Sequence, residues 1–231
     1  MCGRFSLFHD MEQLQKQFDM IMVDPMKVRY NIAPTQLVVT VVLEEGKRVG
    51  RSMKWGLIPS WAKDMKIAYK LINARAETID EKPMYKELVK KRRCIILADG
   101  FYEWKREGKE KRPYRFQLKS GKPFAFAGLW NQWMQNGETL DTCTIITTKP
   151  NELVKKVHDR MPVILPPNAY EIWLHHEMQD IEYLKNLLQP YPAVEMKAFE
   201  ISTLVNSPKN DHPSILESLS CVEGLWDNIF E

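Results

Sequence analysis

The sequence predicts an α+β fold: a mainly antiparallel β-sheet or open barrel with a few short peripheral helices. Three observations point there. Runs rich in β-branched and aromatic residues recur along the chain, among them QLVVTVVLEEGKRVGRSMKWGLIP, RCIILADGFYEWK, PYRFQLKSGKPFAFAGLW and DTCTIITTKP. Helical spacing of apolar residues is confined to short stretches. Strand and helix patterns do not alternate regularly, which argues against a parallel sheet built from βαβ units.

Taken in order, residues 10 to 21 place Met11, Leu14, Phe18 and Ile21 at helical spacing. The next apolar run reads as a hairpin whose two arms meet at Glu45-Gly46. Residues 61 to 80 are irregular and contain INARAET, in which Asn73, Arg75 and Glu77 alternate as they would on one face of an extended strand. Pro83 to Lys91 reads as a short basic helix with proline at its start. Strands then dominate, with Ser120-Gly121 as a turn signal. Asn151 to Val157 is a short helix capped by Asn151, Pro167 to Glu177 and Ile181 to Leu188 are a helical pair, and VEMKAFEIS is a closing strand. No linker, repeat or low-complexity segment divides the chain, so residues 1–231 are read as one domain.

Composition narrows the function classes. An apolar fraction of 44% and a charged fraction of 27% are those of a globular protein. No apolar run is long enough to span a bilayer, and MCGRFSLFHD lacks the basic and apolar regions of a secretory leader, so a cytoplasmic location is expected. The four cysteines, Cys2, Cys94, Cys143 and Cys221, are too scattered for a disulfide framework, and no C-x-x-C or H-x-x-x-H spacing suggests a metal. Cys94 and Cys143 lie in β-branched runs and read as buried hydrophobes; Cys221 carries no signal. The net charge of +3 is unevenly spread, with fourteen Lys/Arg against five Asp/Glu in residues 82 to 122. That is either a polyanion-facing surface or simply a solvated helix followed by a charged hairpin tip.

The chemistry centres on Cys2. Methionine before a small second residue is normally trimmed, and the product would carry an amine of pKa about 7.7–8.0 beside a thiol of pKa about 8.5. This 1,2-aminothiol can form a Schiff base with an aldehyde and then close a five-membered thiazolidine, with the advantage of an intramolecular step. Alternatively the amine can act as general base for its own thiol, as in N-terminal-nucleophile hydrolases. A merely tolerated small residue at position 2 competes with both. Gly3 permits close backbone approach, and Arg4 is either an anion ligand or a surface ion-pair partner.

Three further segments carry ionisable or amide groups. Asn73, Arg75 and Glu77 suit a sugar-phosphate, or are a strand's solvated face. Glu103, between Tyr102 and Trp104, is an acid–base group if its surroundings raise its pKa, or an outward Glu on a half-buried strand. His158, followed by Asp159 and Arg160, is either a group for proton transfer near neutrality or a capping or core residue, the latter being the reading for His9, His175, His176 and His212. Trp61, in the polar stretch SWAKD, is placed to stack on a base.

MCGRF, RYNIAP, WGLIPSW, INARAET, ADGFYEW, HDRMPVIL and the later ISTLVNSPKND, in that order, resemble the SOS-response-associated peptidase (SRAP) family of abasic-site processing proteins over nearly the whole chain. The resemblance implies that family's fold and a DNA-repair activity: capture of the ring-opened aldehyde of an abasic site in single-stranded DNA as a covalent thiazolidine protein–DNA linkage. It implies Cys2 as nucleophile after removal of Met1, Asn73 as ligand of the opened deoxyribose, and Glu103 and His158 as proton-transfer groups. Arg4, Arg75 and Arg160 would bind phosphates, with Trp61 and Pro34 near the bases. Autoproteolysis of the first residue (a hydrolase activity) and Schiff-base lyase activity are implied too, with no cofactor and a monomeric protein. An N-terminal-cysteine amidotransferase, whose glutamine-pocket motifs are not found, and a non-covalent single-stranded DNA-binding module are the competing readings.

Overall fold

The computed structural model describes residues 2–135 and 137–219. β1 (Phe5–Leu7) and α1 (Met11–Phe18) are followed by β2 (Ile21–Met22), β3 (Arg29–Ile32) and the hairpin of β4 (Leu37–Glu44) and β5 (Lys47–Trp55). Next come β6 (Asn73–Arg75), α2 (Pro83–Lys91), β7 (Arg93–Ala98), β8 (Gly100–Glu107), β9 (Glu110–Leu118), β10 (Phe124–Gln135) and β11 (Glu138–Thr148). β12 (Met161–Pro162), β13 (Ile164–Leu165), α3 (Tyr170–Leu174), α4 (Ile181–Asn186) and β14 (Met196–Glu200) complete the order.

Five strands close on themselves. β11 pairs with β10, β10 with β7, β7 with β4 and β4 with β5, and β5 returns to β11 through the parallel pairs Thr142↔Lys54 and Cys143↔Trp55. Closure removes free edges from this barrel. It also explains why β7 is buried along its whole length: it lies between β10 and β4. The turn at Glu45 and Gly46, both at positive φ (47° and 75°), matches the twist of its two strands.

The second sheet has the order β14-β9-β8-β1-β3 and is antiparallel throughout. Its aromatic face meets the barrel: the Phe5 ring lies 5.1 Å from that of Trp55 and 5.6 Å from that of Phe126, both edge-on. Phe101 stacks on Phe116 at 5.0 Å. Fully buried rings of this size supply much of the apolar area that holds the two sheets together.

The antiparallel sheet-and-barrel expectation therefore holds, with corrections in detail. RCIILADGFYEWK is two strands in different sheets, separated by the single residue Asp99. Ser120-Gly121 turns between β9 and β10, which also lie in different sheets. The strand expected through Asn73, Arg75 and Glu77 ends at Arg75, and Ala76–Thr78 form a 3-10 turn, so Glu77 leaves the shared face. The first helix stops at Phe18 because Asp19 adopts the left-handed conformation, and Ile21 opens β2. Asn151 does cap, its Oδ1 accepting from Val154 N at 2.9 Å, but the helix is only the 3-10 turn Val154–Lys156. The helix expected over Pro167 to Glu177 is the 3-10 turn Pro167–Ala169 followed by α3, which ends at Leu174. There the buried Arg93 guanidinium captures the carbonyls of Trp173 and His175, partners that no sequence periodicity reports. Among the described residues no helix is long and apolar enough to cross a membrane.

Asp99 is the joint between the sheets. Its Oδ1 accepts from Ser6 Oγ at 2.6 Å and from Arg115 at 3.3 Å, and its Oδ2 accepts from Phe8 N at 2.5 Å. Its own N–H donates to Ser6 O at 2.9 Å. The Arg115 guanidinium lies across Gly100, where a Cβ would sit 2.6 Å from Nη2 and would have to displace it. Both charged side chains are almost fully buried. Asp99→Ala leaves Arg115 as an uncompensated buried charge and is expected to destabilise the fold by about 3–5 kcal/mol. Urea unfolding measures this; a loss below about 1 kcal/mol would remove the pair from this role.

Candidate active site

The ladder between β1 and β8 carries Cys2 to Glu103. Phe5 pairs with Phe101, Ser6 with Gly100, and Tyr102 N donates to Arg4 O at 3.0 Å, extending the pairing towards the start of the chain. Cys2 is fully buried. Burial pushes its thiol well above the ordinary range, and the nearby Glu103 carboxylate adds to the effect. The thiol is therefore protonated at neutral pH, unlike the thiolate of an activated cysteine.

Glu103, on β8, is 3% exposed, which decides its chemistry: burial raises its pKa to about 7, and the Asp159 carboxylate works in the same direction. It can both give and take a proton near neutrality. His158 follows the Val154–Lys156 turn, its N–H donating to Val154 O at 2.8 Å. Its Nε2 lies 3.8 Å from Glu103 Oε2. Its Nδ1 lies 3.0 Å from Arg160 N and 2.9 Å from Asp159 Oδ1, so that nitrogen meets both a donor and an acceptor. Burial lowers the His158 pKa, with Arg106 acting the same way and Asp159 against it. Glu103 thus lies between the buried thiol, on which its charge acts, and the His158 ring.

Asn73 and Arg75 sit on β6, which pairs in parallel with β11. Asn73 Nδ2 donates to Ile72 O at 2.9 Å, while Oδ1 is buried without a hydrogen-bond partner. An unsatisfied buried acceptor is costly and marks a place for a donor such as a hydroxyl. Arg75 is exposed. Arg160 forms a bidentate fork with Glu77, Nη1 to Oε1 at 2.6 Å and Nη2 to Oε2 at 3.0 Å, and Nη2 also donates to Thr147 O at 2.6 Å. This fork ties the Asn73 segment to the His158 segment. A phosphate would reach Arg160 only by sharing it with Glu77.

The remaining expected DNA contacts fall in different settings. Arg4 Nη1 donates to Asn31 Oδ1 at 2.7 Å and to Val205 O at 2.6 Å, and its guanidinium lies 5.9 Å from the Trp104 ring. Pro34 is half-buried in a turn held by Thr35 N to Trp55 O at 2.7 Å. Trp61 is 68% exposed, with Lys63, Lys66 and Lys70 around it, a setting in which an indole can stack on a base. His9 faces Asp99, His175 and His176 stack on each other, and His212 meets Ser214. Cys94 and Cys143 are buried, whereas Cys221 lies outside the described residues. Among the described residues no group of three or more His, Cys, Asp or Glu side chains is placed to hold a metal ion.

A cavity of about 450 Å3 opens over Glu103 and His158 and is also lined by Trp104, Arg106, Lys111 and Asn206. Sequence reading singled out none of the last four. Trp104 Nε1 donates to Asn206 Oδ1 at 2.7 Å, a contact between residues a hundred positions apart that no local pattern announces. Arg106 and Lys111 were detectable: they are symmetric about the Gly108 turn, which predicts that they face each other.

Glu103 makes stability depend on pH. Its folded pKa lies above its unfolded value, so its neutral form is favoured in the fold. Stability is therefore lost as pH rises from about 4.5 to about 7. Glu103→Gln is expected to raise stability at pH 8 by about 1–3 kcal/mol and to have little effect at pH 4. Denaturant titrations at both pH values read this directly; equal effects would show that burial of the charge is not the cause.

The SOS response associated peptidase (SRAP) family model matches residues 1–208. The chain is 50% identical over 224 residues to the abasic site processing protein YoqW of Bacillus subtilis, covering 94% of this chain and 100% of that protein. It is 36% identical over 201 residues to the abasic site processing protein HMCES of Xenopus tropicalis, covering 76% of this chain and 59% of that protein. A crystal structure of a protein from Bacteroides thetaiotaomicron superposes with a TM-score of 0.85 at 28% identity, covering 94% of this chain and 99% of that one. On the extent of the family match and the identity to these relatives, the chain belongs to the SOS response associated peptidase family.

Proposed function

We propose that this protein acts on abasic sites in single-stranded DNA, capturing the lesion aldehyde on Cys2 as a thiazolidine. The names of its relatives support the abasic-site assignment. The observation that carries the chemistry is the buried Cys2 beside Glu103, with His158 Nε2 3.8 Å from the Glu103 carboxylate. An aminothiol demands an aldehyde, and an abasic deoxyribose is an aldehyde flanked by phosphates.

The raised thiol pKa orders the steps. Once Met1 is removed, the Cys2 α-amine is the stronger nucleophile. It adds to C1′ of the ring-opened sugar, and the carbinolamine loses water to give a protonated Schiff base. The thiol then adds to the C=N carbon; its proton leaves through Glu103 or His158, and the nitrogen becomes the ring amine. One water is released overall, and no redox step occurs. Protonated Glu103 assists opening of the sugar ring by donating to the ring oxygen, and neutral His158 accepts protons between steps. Asn73 Oδ1 takes a hydrogen bond from a sugar hydroxyl. If the Schiff base loses a sugar proton before the thiol adds, the strand breaks by β-elimination, which is the lyase branch. Hydrolysis of the bond before Cys2 by the same acid–base pair is the autoproteolytic branch.

Cys2→Ala is expected to form no heat-stable crosslink with an abasic oligonucleotide on denaturing gels. Cys2→Ser retains the amine without the thiol, so it is expected to give an adduct only when borohydride reduces the Schiff base. Crosslinking by Cys2→Ala at the wild-type level would sink the proposal. Glu103 is protonated below its pKa of about 7, so the wild-type rate should fall as pH rises through that value. Glu103→Gln should lose this dependence, and a falling limb that persists in that variant would assign the acid elsewhere.

A further inference from the structure

The β8–β9 hairpin carries four cations in two cross-strand pairs, and the two pairs are treated differently. Lys105 and Arg112 face each other, and acids neutralise them: Lys105 meets Glu107 at 2.7 Å, and Arg112 meets Glu107 at 3.2 Å and Glu200 at 2.5 Å. Arg106 and Lys111 also stand directly opposite. Among the described residues neither has a carboxylate within ion-pair distance, and both are exposed and line the cavity over Glu103 and His158. Like charges directly opposite on an antiparallel pair are destabilising, so the free protein gains nothing from keeping this pair bare. The fold supplies neutralising acids one residue away on the other face, and leaves this face for an anion from outside.

We propose that Arg106 and Lys111 form a clamp for one backbone phosphate of the strand whose lesion lies against Glu103 and His158. The inference rests on the abasic-DNA reading and adds a binding site to it. A guanidinium offers a planar fork and an ammonium a point charge, so together they can hold two different phosphate oxygens from opposite sides. Clamping a phosphate at the cavity rim while Glu103 is neutral places the sugar attached to it over the acid–base pair. Arg106 also sits close enough to act on His158, so phosphate engagement and the proton-transfer group share one wall.

The test uses the mature protein and a single-stranded oligonucleotide with one abasic site. Crosslinking is followed as a function of protein concentration over a series of potassium chloride concentrations. Arg106→Gln and Lys111→Gln are each expected to raise the half-saturating concentration. The double variant should lower the slope of log affinity against log salt by about 0.7, the value for one single-strand phosphate, rather than twice that. Lys109→Gln, an equal charge loss at the exposed hairpin tip, should leave the slope alone. The Arg106 and Lys111 variants should melt no lower than the parent, because a repulsive pair has been relieved. A neutral methylphosphonate at one strand position should weaken the wild type and abolish its difference from the double variant.

An unchanged slope in the double variant overturns the clamp. So does an equal loss in Lys109→Gln, or the absence of any single methylphosphonate position with that effect. If the wild type forms no crosslink at all, the reaction proposed for Cys2 fails instead. The clamp is then judged by the same slope change in reversible binding of the same strands.

Discussion

The geometry of the candidate site depends on one buried carboxylate. Asp99 stands where the chain leaves the barrel and enters the second sheet, and it binds Ser6, Phe8 N and Arg115 at once. Those contacts dock β1 against β8, and the β1–β8 pairing is what brings Cys2 to Glu103. A residue near the start of a chain is ordinarily in the most mobile part of a protein. Here the strand that follows it is a central member of a sheet, with β3 on one side and β8 on the other. Preorganisation of the first residues is thus a consequence of the core.

The same burial that orders Cys2 changes its chemistry. A thiol with a raised pKa is a poor first nucleophile but is protected from adventitious oxidation and alkylation, since both act on the thiolate. Glu103 gains proton affinity from the same dry surroundings. On the proposed reading these shifts cooperate: the amine begins the reaction, a neutral carboxylic acid is present to assist it, and the thiol becomes competitive only when the iminium carbon is held next to it. High effective concentration then replaces intrinsic nucleophilicity.

How legible this was in the sequence depended on whether the determining contact was local. The Glu45-Gly46 hairpin and α2 could be read because positive-φ turn chemistry and an N-terminal proline are written in adjacent residues. The crossing at Asp99 could not, because β7 and β8 abut with one intervening residue and share one β-rich composition. Cys2, Asn73, Glu103 and His158 were each visible as candidates, with a bland alternative beside each; the order of the motifs, more than any single residue, pointed to the family. Their environments were hidden. The Arg160–Glu77 fork, the orphaned Asn73 Oδ1 and the Trp104–Asn206 contact arise from pairings across 83, 72 and 102 positions: Arg160 with Glu77, Ile145 with Asn73, and Asn206 with Trp104. Such pairings exist only once the barrel and the second sheet have closed.

In the proposed mechanism the reactive unit is the free amine plus the thiol of Cys2, condensing with an aldehyde. Intact-mass measurement of the protein before and after addition of an abasic single strand tests it most directly, because one spectrum reports both methionine removal and adduct formation. The expected result is a chain lacking Met1 that converts to an adduct equal to protein plus oligonucleotide minus one water, surviving heat without a reductant. An adduct formed equally by chain that retains Met1, or by the Cys2→Ala protein, would contradict it.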